Sequence, residues 1–472
     1  MVFSSLTFLF VFLPISLILY YTIKPKLRNG FLTLASLFFY AWGEKKLVLL
    51  MISSIALNYI GGILIEYFIT VKRQQNSRHT LWVFVFINVL ILFYFKYSNF
   101  FMDTINETGL FSISRFNEII LPIGISFFTF QGMSYLIDVY YQKVKSQKKL
   151  IHLGLYISMF PQLIAGPIVR YIDIEKQIER TSSFEWNKFS QGVERFIVGL
   201  FKKVIVANEM AAAADLIFNS QTDLGTFSYW IGIICYTFQI YFDFSGYSDM
   251  AIGLGKMFGY DFLENFRLPY ISKSIQDFWR RWHISLSTWF RDYLYIPLGG
   301  NRKGNFRTYV NLCIVFFVTG FWHGASWNFI VWGLYHGFFL ILERLFLGKL
   351  LNKAPKIISH TYTLFVVMIG WVLFRANTLS DAGEYLSHMF SFEPKISAEI
   401  IQLFNPYFCF VLLVAFLLST KAKLYISDYS SKLINRTKGF GVIRYSFYIL
   451  IFVFCLLELA ANNYNPFIYF RF

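Results

Sequence analysis

Long apolar stretches separated by short polar loops run through the whole chain. Thirteen of these stretches approach the about 20 residues that a helix needs to cross a lipid bilayer. They lie at 2–23, 29–43, 46–68, 80–102, 119–142, 151–167, 190–218, 226–255, 308–322, 326–345, 360–376, 404–420 and 441–461. The pattern predicts an all-α, polytopic integral membrane protein with no soluble domain, organised as a single domain over residues 1–472.

The loops carry an alternating charge. Loops 24–28, 72–79 and 143–149 are basic, whereas loop 103–118 is mainly acidic. Basic loops of membrane proteins face the cytoplasm, so these loops alternate correctly between the two sides. The first stretch follows no basic residue and carries no cleavage site, which predicts an uncleaved span with the N-terminus outside.

One of the thirteen stretches does not fit this alternation. The basic stretch 256–307 belongs on the cytoplasmic side, but straight counting places it outside. Segment 151–167 is short and broken by Pro161, Gly166 and Pro167. It therefore reads as a re-entrant or interfacial piece whose broken backbone must be covered by protein or water. We expect about 10 to 12 true spans.

Composition supports the membrane assignment. Of 472 residues, 56% are hydrophobic and only 15% are charged, against about 25% charged in soluble proteins. This excludes a cytosolic enzyme, a disordered protein and a nucleic-acid binder, despite the net charge of +16. The four cysteines lie in apolar runs without a C-x-x-C pair, so we expect neither a disulfide framework nor a metal site.

The stretch 256–307 is too polar to span a membrane and too aromatic for a free loop. Its apolar residues recur at helical spacing, at positions 275, 278, 279, 282, 286, 289, 290 and 293. The other face carries Asp277, Arg280, Arg281 and His283. The pattern predicts an amphipathic segment at the cytoplasmic interface, which is either a simple anchor or part of a functional site.

A hairpin is predicted at 308–345, flanked on both sides by basic residues. Its rising arm of about 15 residues reaches about 22 Å, less than the hydrocarbon core of about 30 Å. His323 at the apex therefore stops inside the membrane, where an ionisable side chain is a functional candidate. A neutral histidine can act as a general base. The alternative is a hydrogen-bonded interior histidine, and both readings also apply to His283 and His336.

A further polar cluster lies in the stretch 226–255 and includes Asp243 and Asp249. These carboxylates either line a cavity or pair with Arg280, Arg281 and Arg291. Lys202 and Lys203 read as the cytoplasmic start of a span.

Several motifs together resemble the membrane-bound O-acyltransferase family over essentially the whole chain. They include LPIGISF at 121–127, FPQLIAGP at 160–167, GLFKK at 199–203, YFDFSGYSD at 241–249, FWRRWHISL at 278–286, YIPLGGN at 295–301, WHGA at 322–325 and YNPFI at 464–468. The segment after Tyr293 matches the branch that acetylates alginate-like polysaccharides. It departs from the more distant teichoic acid D-alanyl transfer branch.

The resemblance implies a helical bundle around a central tunnel, with re-entrant and interfacial helices. His323 matches the family's essential histidine, and His283 matches a second histidine on the cytoplasmic side of the tunnel. We therefore expect catalysis by His323 and His283 in the hairpin 308–345 and the amphipathic region 256–307. Asp243, Asp277, Asn328 and His336 are expected to support the site.

The donor is expected to be an acetyl thioester, most simply acetyl-CoA, that approaches from the cytoplasm as a substrate; no bound cofactor is expected. Basic side chains can hold its phosphates. The residues expected at this donor site are Arg280, Arg281, Arg291 and Trp282. The acceptor is expected to be an exported cell-surface polysaccharide, and the family pattern implies an extracytoplasmic SGNH-type acetyltransferase as a partner. The location is then the bacterial inner membrane.

Two alternatives stay open at this point. The first is the same chemistry on another acceptor, as in a D-alanyl or peptidoglycan O-acyltransferase. The second is a transporter of a glycan or acyl carrier without chemistry, against which the lack of a two-fold repeat argues.

Overall fold

The computed structural model describes residues 1–109, 113–116, 119–164, 166–180, 183–220, 224–422, 440–461 and 464–468. Over these ranges the regular structure is helical throughout and contains no strand. The prediction of an all-α polytopic membrane protein is confirmed. The chain separates into two compact units, one of residues 1–196 and 250–263, the other of residues 197–249 and 264–472.

The first unit contains the N-terminal helices. They are Phe8–Phe12, Leu13–Thr22, Pro25–Leu27, Arg28–Glu44, Lys45–Leu47, Val48–Thr70, Gln74–Glu107, Ile125–Tyr140, Leu150–Ser158, Phe160–Leu163 and Tyr171–Glu179. The helix Trp186–Phe201 begins in this unit and ends in the second. Apolar side chains between the helices bury a phenylalanine cluster around Phe8, Phe39 and Phe160.

Segment 151–167 is broken, as its prolines and glycine predicted. The helix Leu150–Ser158 ends where Met159 turns to an extended ψ of 112°, and Phe160–Leu163 follows as a separate turn. Side chains form hydrogen bonds with the backbone groups that the break leaves without a helical partner. The amide of Phe160 donates to Ser36 Oγ at 3.1 Å, and Gln162 Nε2 donates to the carbonyl of Tyr156. Nine residues of helix reach only about 14 Å, too short to cross a bilayer alone.

The second unit contains the remaining helices. They are Lys202–Ala207, Asn208–Phe218, Thr226–Met257 (whose end lies in the first unit), Pro269–Ile271, Ile275–Trp279, Ile284–Phe290, Arg291–Tyr295, Asn305–His323, Trp327–Leu342, Glu343–Leu347, Gly348–Lys353, Lys356–Arg375, Leu379–Met389, Ala398–Leu403, Pro406–Ser419 and Phe440–Ala461.

Five helical stretches among the described residues are long and apolar enough to cross a membrane. They are Pro25–Thr70, Gln74–Glu107, Trp327–Lys353, Lys356–Arg375 and Gly441–Ala461. Phe8–Thr22 and Pro406–Ser419 are shorter apolar helices. Helices such as Thr226–Met257 carry buried charges that lower their hydropathy. The figure of about 10 to 12 spans stays a prediction.

The predicted hairpin consists of the helices Asn305–His323 and Trp327–Leu342, which we call the histidine hairpin. Two glycines let its arms touch, because a β-carbon at Gly333 would overlap the carbonyl oxygen of Phe316 and one at Gly320 would overlap that of Phe329. The rising arm has 19 residues, longer than expected, and reaches about 28 Å. The length of this arm therefore no longer argues that His323 stops inside the membrane, and that depth stays a prediction.

Candidate functional site

His323 ends the rising arm of the histidine hairpin and is 3% exposed. Gly324 follows in extended conformation and breaks the helix at the apex, which fixes the imidazole inside the protein. The ring packs edge-on against Trp332 at 5.0 Å and Phe374 at 5.2 Å between ring centroids. The expectation of an interior histidine enclosed by protein is met by this geometry.

His283 is also buried, with 1% of its surface exposed. Its Nδ1 lies 3.2 Å from Oδ1 of the buried Asn265, and the same oxygen accepts from the backbone N–H and the hydroxyl of Ser285. Because that oxygen already acts as an acceptor, Nδ1 of His283 must be the donor. The lone pair of the neutral ring then lies on Nε2. Burial lowers the pKa of His283 to about 3, so the ring is neutral at physiological pH.

The sequence placed His283 on the polar face of one amphipathic helix, and this is wrong. The segment forms two short helices, Ile275–Trp279 and Ile284–Phe290, with a break between them. His283 adopts the left-handed conformation at the break, with φ of 44°, which turns its side chain inward. The apolar face was predicted correctly. All eight of its residues are buried: Ile275, Phe278, Trp279, Trp282, Leu286, Trp289, Phe290 and Tyr293.

A cavity of about 450 Å³, which we call the donor cavity, lies between this segment and the histidine hairpin. Arg280, Arg291 and Arg344 line it together with apolar side chains of both elements. Thr319, which precedes His323 by one helical turn, also lines the donor cavity. The cavity therefore ends one helical turn from the catalytic candidate. A smaller polar cavity of about 240 Å³ adjoins it and shares Gln276 and Arg344.

The four residues expected at the donor site are divided by the structure. Arg280 and Arg291 line the donor cavity, whereas Arg281 and Trp282 do not. Arg281 instead pairs with Asp277 at 2.9 Å, one turn away on the surface. Trp282 packs in an aromatic core against Phe278 and Trp371.

Asp243 and Asp249 do not pair with Arg280, Arg281 or Arg291, but with Lys202 and Lys203. Both lysines are buried in a π-helical turn. Lys203 Nζ lies 2.7 Å from Asp243, and Lys202 Nζ lies 2.5 Å from Asp249. The expected pairing with the arginines was wrong because a buried charge needs a partner, and the available partners lie on a neighbouring helix far away in sequence.

The C-terminal segment 464–468 completes this charge cluster. The amide of Ile468 donates to Asp243 at 2.7 Å, and Lys203 donates to the carbonyl of Pro466. Phe467 stacks on Tyr247. Phe244, next to Asp243 on the same helix, contacts the His283 ring at 4.7 Å. Asp243 therefore supports the helix that packs against His283 and does not itself face the donor cavity.

The remaining supporting candidates lie on the descending arm. Asn328 donates to the carbonyl of Ala376 at 2.7 Å and so ties the apex to the helix Lys356–Arg375. His336 is fully buried among aromatic rings. Within the described residues, no cluster of three or more His, Cys, Asp or Glu side chains could hold a metal ion.

Sequence reasoning missed three groups of residues. Asn265 fixes the tautomer of His283, Arg344 lines the donor cavity, and Trp279 and Trp332 surround His336. Asn265 and Arg344 had no local signal, because their role depends on tertiary contacts. The two tryptophans sit in apolar patterns, where a core residue and a site residue look alike.

An imidazole one helical turn from the lining of a cavity with a basic mouth can, in its neutral form, take a proton from a hydroxyl while an anionic donor lies in the cavity. Residues 141–379 match the sequence pattern of the membrane-bound O-acyltransferase family.

Curated relatives extend the match. The chain is 42% identical over 502 aligned residues to the probable alginate O-acetylase AlgI of Pseudomonas putida, with both chains covered completely. It is 38% identical over 427 residues to the peptidoglycan O-acetyltransferase of Helicobacter pylori, covering 82% of this chain and 80% of that one. It is 29% identical over 283 residues to the teichoic acid D-alanyltransferase of Bacillus subtilis, covering 55% and 69%.

The chain belongs to the membrane-bound O-acyltransferase family. It is therefore a multi-pass membrane enzyme that transfers acyl groups to oxygen. The predicted resemblance to the alginate-acetylating branch, and the more distant one to the D-alanyl transfer branch, are both confirmed. A transporter without chemistry is set aside.

Proposed function

We propose that this enzyme moves an acetyl group from a cytoplasmic thioester, most simply acetyl-CoA, to the O-acetylation of an exported alginate-like polysaccharide. The observation that carries the proposal is the donor cavity, which runs from three arginines to the helical turn below His323. Whole-chain similarity to a protein named alginate O-acetylase supports the acyl group and the acceptor.

The chemistry of the donor cavity suits a phosphorylated thioester. Arg280 and Arg344 make no ion pair with any described residue, so their guanidinium groups are available to an anion, while Arg291 pairs with Asp292 at 2.7 Å. Guanidinium groups bind phosphate by paired, charge-assisted hydrogen bonds. The apolar side chains that line the rest of the cavity suit an uncharged pantetheine arm, which directs the thioester toward the hairpin.

The transfer step needs one base. A ring nitrogen of His323 accepts the proton of the acceptor hydroxyl as its oxygen forms a bond to the acyl carbon. The C–S bond of the thioester then breaks, and the departing thiolate receives the proton from the imidazolium. We infer that the neutral, buried His283 orients the donor side through the packing of Trp322, whose ring lies 6.2 Å from its own. No covalent intermediate on the chain is required.

The acceptor hydroxyl belongs either to the polysaccharide itself or to a partner protein that relays the acetyl group. We propose an extracytoplasmic SGNH-type acetyltransferase for the relay, with this chain in the bacterial inner membrane. The branch that this chain resembles supports that arrangement.

Peptidoglycan is a second candidate acceptor. The relative from Helicobacter pylori is named for peptidoglycan and matches most of this chain. Both candidates involve acetyl transfer to sugar hydroxyls, so the same site serves either one.

The test replaces His323 by alanine in cells that depend on this chain for polymer acetylation. We expect normal amounts of membrane-inserted protein and loss of acetylation by about 10²-fold or more, as for removal of a general base. The matched control is His360→Ala, since His360 bonds the carbonyl of Ser272 and does not line the donor cavity. Persistent acetylation in His323→Ala would contradict the assignment of the base.

Mass spectrometry of the cell-envelope polymers from a deletion strain identifies the acceptor. We expect exported polysaccharide to lose its O-acetyl esters. Loss from peptidoglycan alone would favour the second candidate, and loss of D-alanyl esters from teichoic acid would overturn both.

A further inference from the structure

His336, on the descending arm of the histidine hairpin, lies in a box of aromatic rings. Its ring centroid is 5.3 Å from that of Trp279 and 5.3 Å from that of Trp332. The residue has no exposed surface. The backbone of Gly370 closes the box on another side, because a β-carbon there would lie 2.8 Å from Nε2 of His336. We call Trp279, Trp332 and His336 the aromatic box.

Four buried polar atoms in the aromatic box have no hydrogen-bond partner among the residues that the structure describes. They are Nε1 of Trp279, Nε1 of Trp332, and both ring nitrogens of His336. About nine in ten buried polar groups in proteins are hydrogen-bonded. An unbonded one destabilises the folded protein. Four at one place indicate that a polar group from outside the chain binds there.

The aromatic box also stands between the two parts of the site. Trp279 lines the donor cavity. Trp332 packs against the ring of His323 at 5.0 Å. A thioester that advances from the cavity toward His323 therefore passes the box before it reaches His323, with its carbonyl as the polar group at the leading acyl end.

We propose that the aromatic box binds the carbonyl oxygen of the acyl thioester and stabilises the negative charge that this oxygen acquires during transfer. The proposal rests on the proposed function and deepens it. Two indole N–H groups and one imidazole N–H are the donors, and His336 stays neutral throughout. As the acceptor oxygen bonds to the acyl carbon, the C=O electron pair moves to the carbonyl oxygen. It returns when the C–S bond breaks, while His323 carries the proton.

The test combines kinetics with a spectroscopic readout on the purified full-length enzyme in detergent. The variants are His336→Phe, which removes both nitrogens, and His336→Gln, which restores an N–H donor. Tyr335→Phe is the matched control, because its hydroxyl bonds the carbonyl of Val366 and lies outside the box. The probe is a ketone analogue of acetyl-CoA, in which CH₂ replaces sulfur, and its bound C=O stretch is measured by difference infrared spectroscopy.

We expect the stretch to shift to lower frequency in the wild-type enzyme, because hydrogen bonds weaken the carbonyl bond. The shift should diminish in His336→Phe. The same variant should lower kcat by about 10²- to 10³-fold, as for loss of an oxyanion donor. KM for acetyl-CoA and the pH profile set by His323 should change little. His336→Gln should recover part of both effects, and Tyr335→Phe should match the wild type.

An unshifted carbonyl in the wild-type enzyme, or wild-type kcat in His336→Phe, overturns the proposal while leaving the proposed function intact. If His336→Phe does not fold, Trp279→Phe and Trp332→Phe decide, since each removes one N–H and keeps an aromatic ring. Unchanged kcat and stretch in both would also overturn it. Failure of the wild-type enzyme to transfer acetyl from acetyl-CoA would instead refute the proposed function.

Discussion

His283 shows how one residue can be displaced from its expected place by backbone geometry. Its φ of 44° lies in the left-handed region, which few residues other than glycine and asparagine occupy without strain. The surrounding contacts, above all the bond from Nδ1 to Asn265, hold it there. The result is a neutral, fully buried imidazole with its Nε2 lone pair directed away from Asn265.

This burial predicts a specific acid sensitivity. Above pH 6.5 the ring is neutral in both folded and unfolded states, so its contribution to stability is constant. Between pH 6.5 and about 3 the unfolded chain binds the proton and the folded protein does not. The free energy of unfolding should fall in that window by about 1.4 kcal/mol per pH unit from this group.

His283→Asn removes the titration and tolerates the left-handed backbone. Thermal unfolding of the purified protein at pH 7 and pH 5 should therefore show a smaller acid-induced loss in the variant than in the wild type. Equal losses would mean that other groups dominate the acid response.

The amphipathic segment also shows which features of individual residues can be predicted from the sequence and which cannot. Its eight apolar positions were predicted correctly because burial follows periodicity even across a short break. The position of His283 was not, because the periodic reading assumes an unbroken helix. The pairing of Lys203 with Asp243 was missed because nothing local links residues that lie on different helices.

At the scale of elements, the histidine hairpin depends on close contact between its two arms. Gly333 and Gly320 allow backbone atoms of each arm to lie against the other. This contact fixes where Trp332 and His336 stand relative to His323. The hairpin and its apex were predictable from hydropathy and charge, but its glycine contact and exact arm length were not.

Gly333→Ala should force the arms apart. We expect a loss of about 1 to 3 kcal/mol in stability from overpacking, together with reduced acyl transfer because the rings around His323 move. The measurements are the thermal unfolding midpoint and the transfer rate of the purified enzyme.

Gly383→Ala is the matched control, because a β-carbon at this helical glycine meets no atom within 4 Å. It should keep full activity and gain stability of up to about 1 kcal/mol from helix propensity. Equal behaviour of the two variants would show that arm contact does not matter.

At the scale of the molecule, the distribution of charge is linked to the membrane topology. Part of the net charge of +16 lies in the segment that lines the donor cavity, so the side of the membrane on which that segment lies determines which side supplies the donor. The membrane class and the family were predictable from composition and motifs. The donor cavity was not, since it is formed by side chains from elements that the sequence does not show to be neighbours.

A cysteine at position 303 tests the placement. The native Cys313 and Cys409 are exposed and are first replaced by alanine, whereas Cys235 and Cys455 are buried. Lys303→Cys should then resist a membrane-impermeant maleimide added to intact cells and react after the membranes are opened. Glu107→Cys, in the loop predicted outside, should react in both cases. Labelling of Lys303→Cys in intact cells would contradict the cytoplasmic placement of this segment and the proposed direction of acyl transfer.

The indoles around the site have a consequence for how the enzyme can be observed. Ring centroids of Trp279 and Trp332 lie 5.7 Å apart, those of Trp332 and Trp371 6.1 Å, and those of Trp371 and Trp282 4.9 Å. At these distances excitation energy passes between neighbouring indole rings, so light absorbed by one tryptophan can be emitted by another. We therefore expect a molecule that binds in the donor cavity beside Trp279 to change the emission of the whole tryptophan cluster. Intrinsic fluorescence should thus report binding of the proposed donor without a label and without turnover.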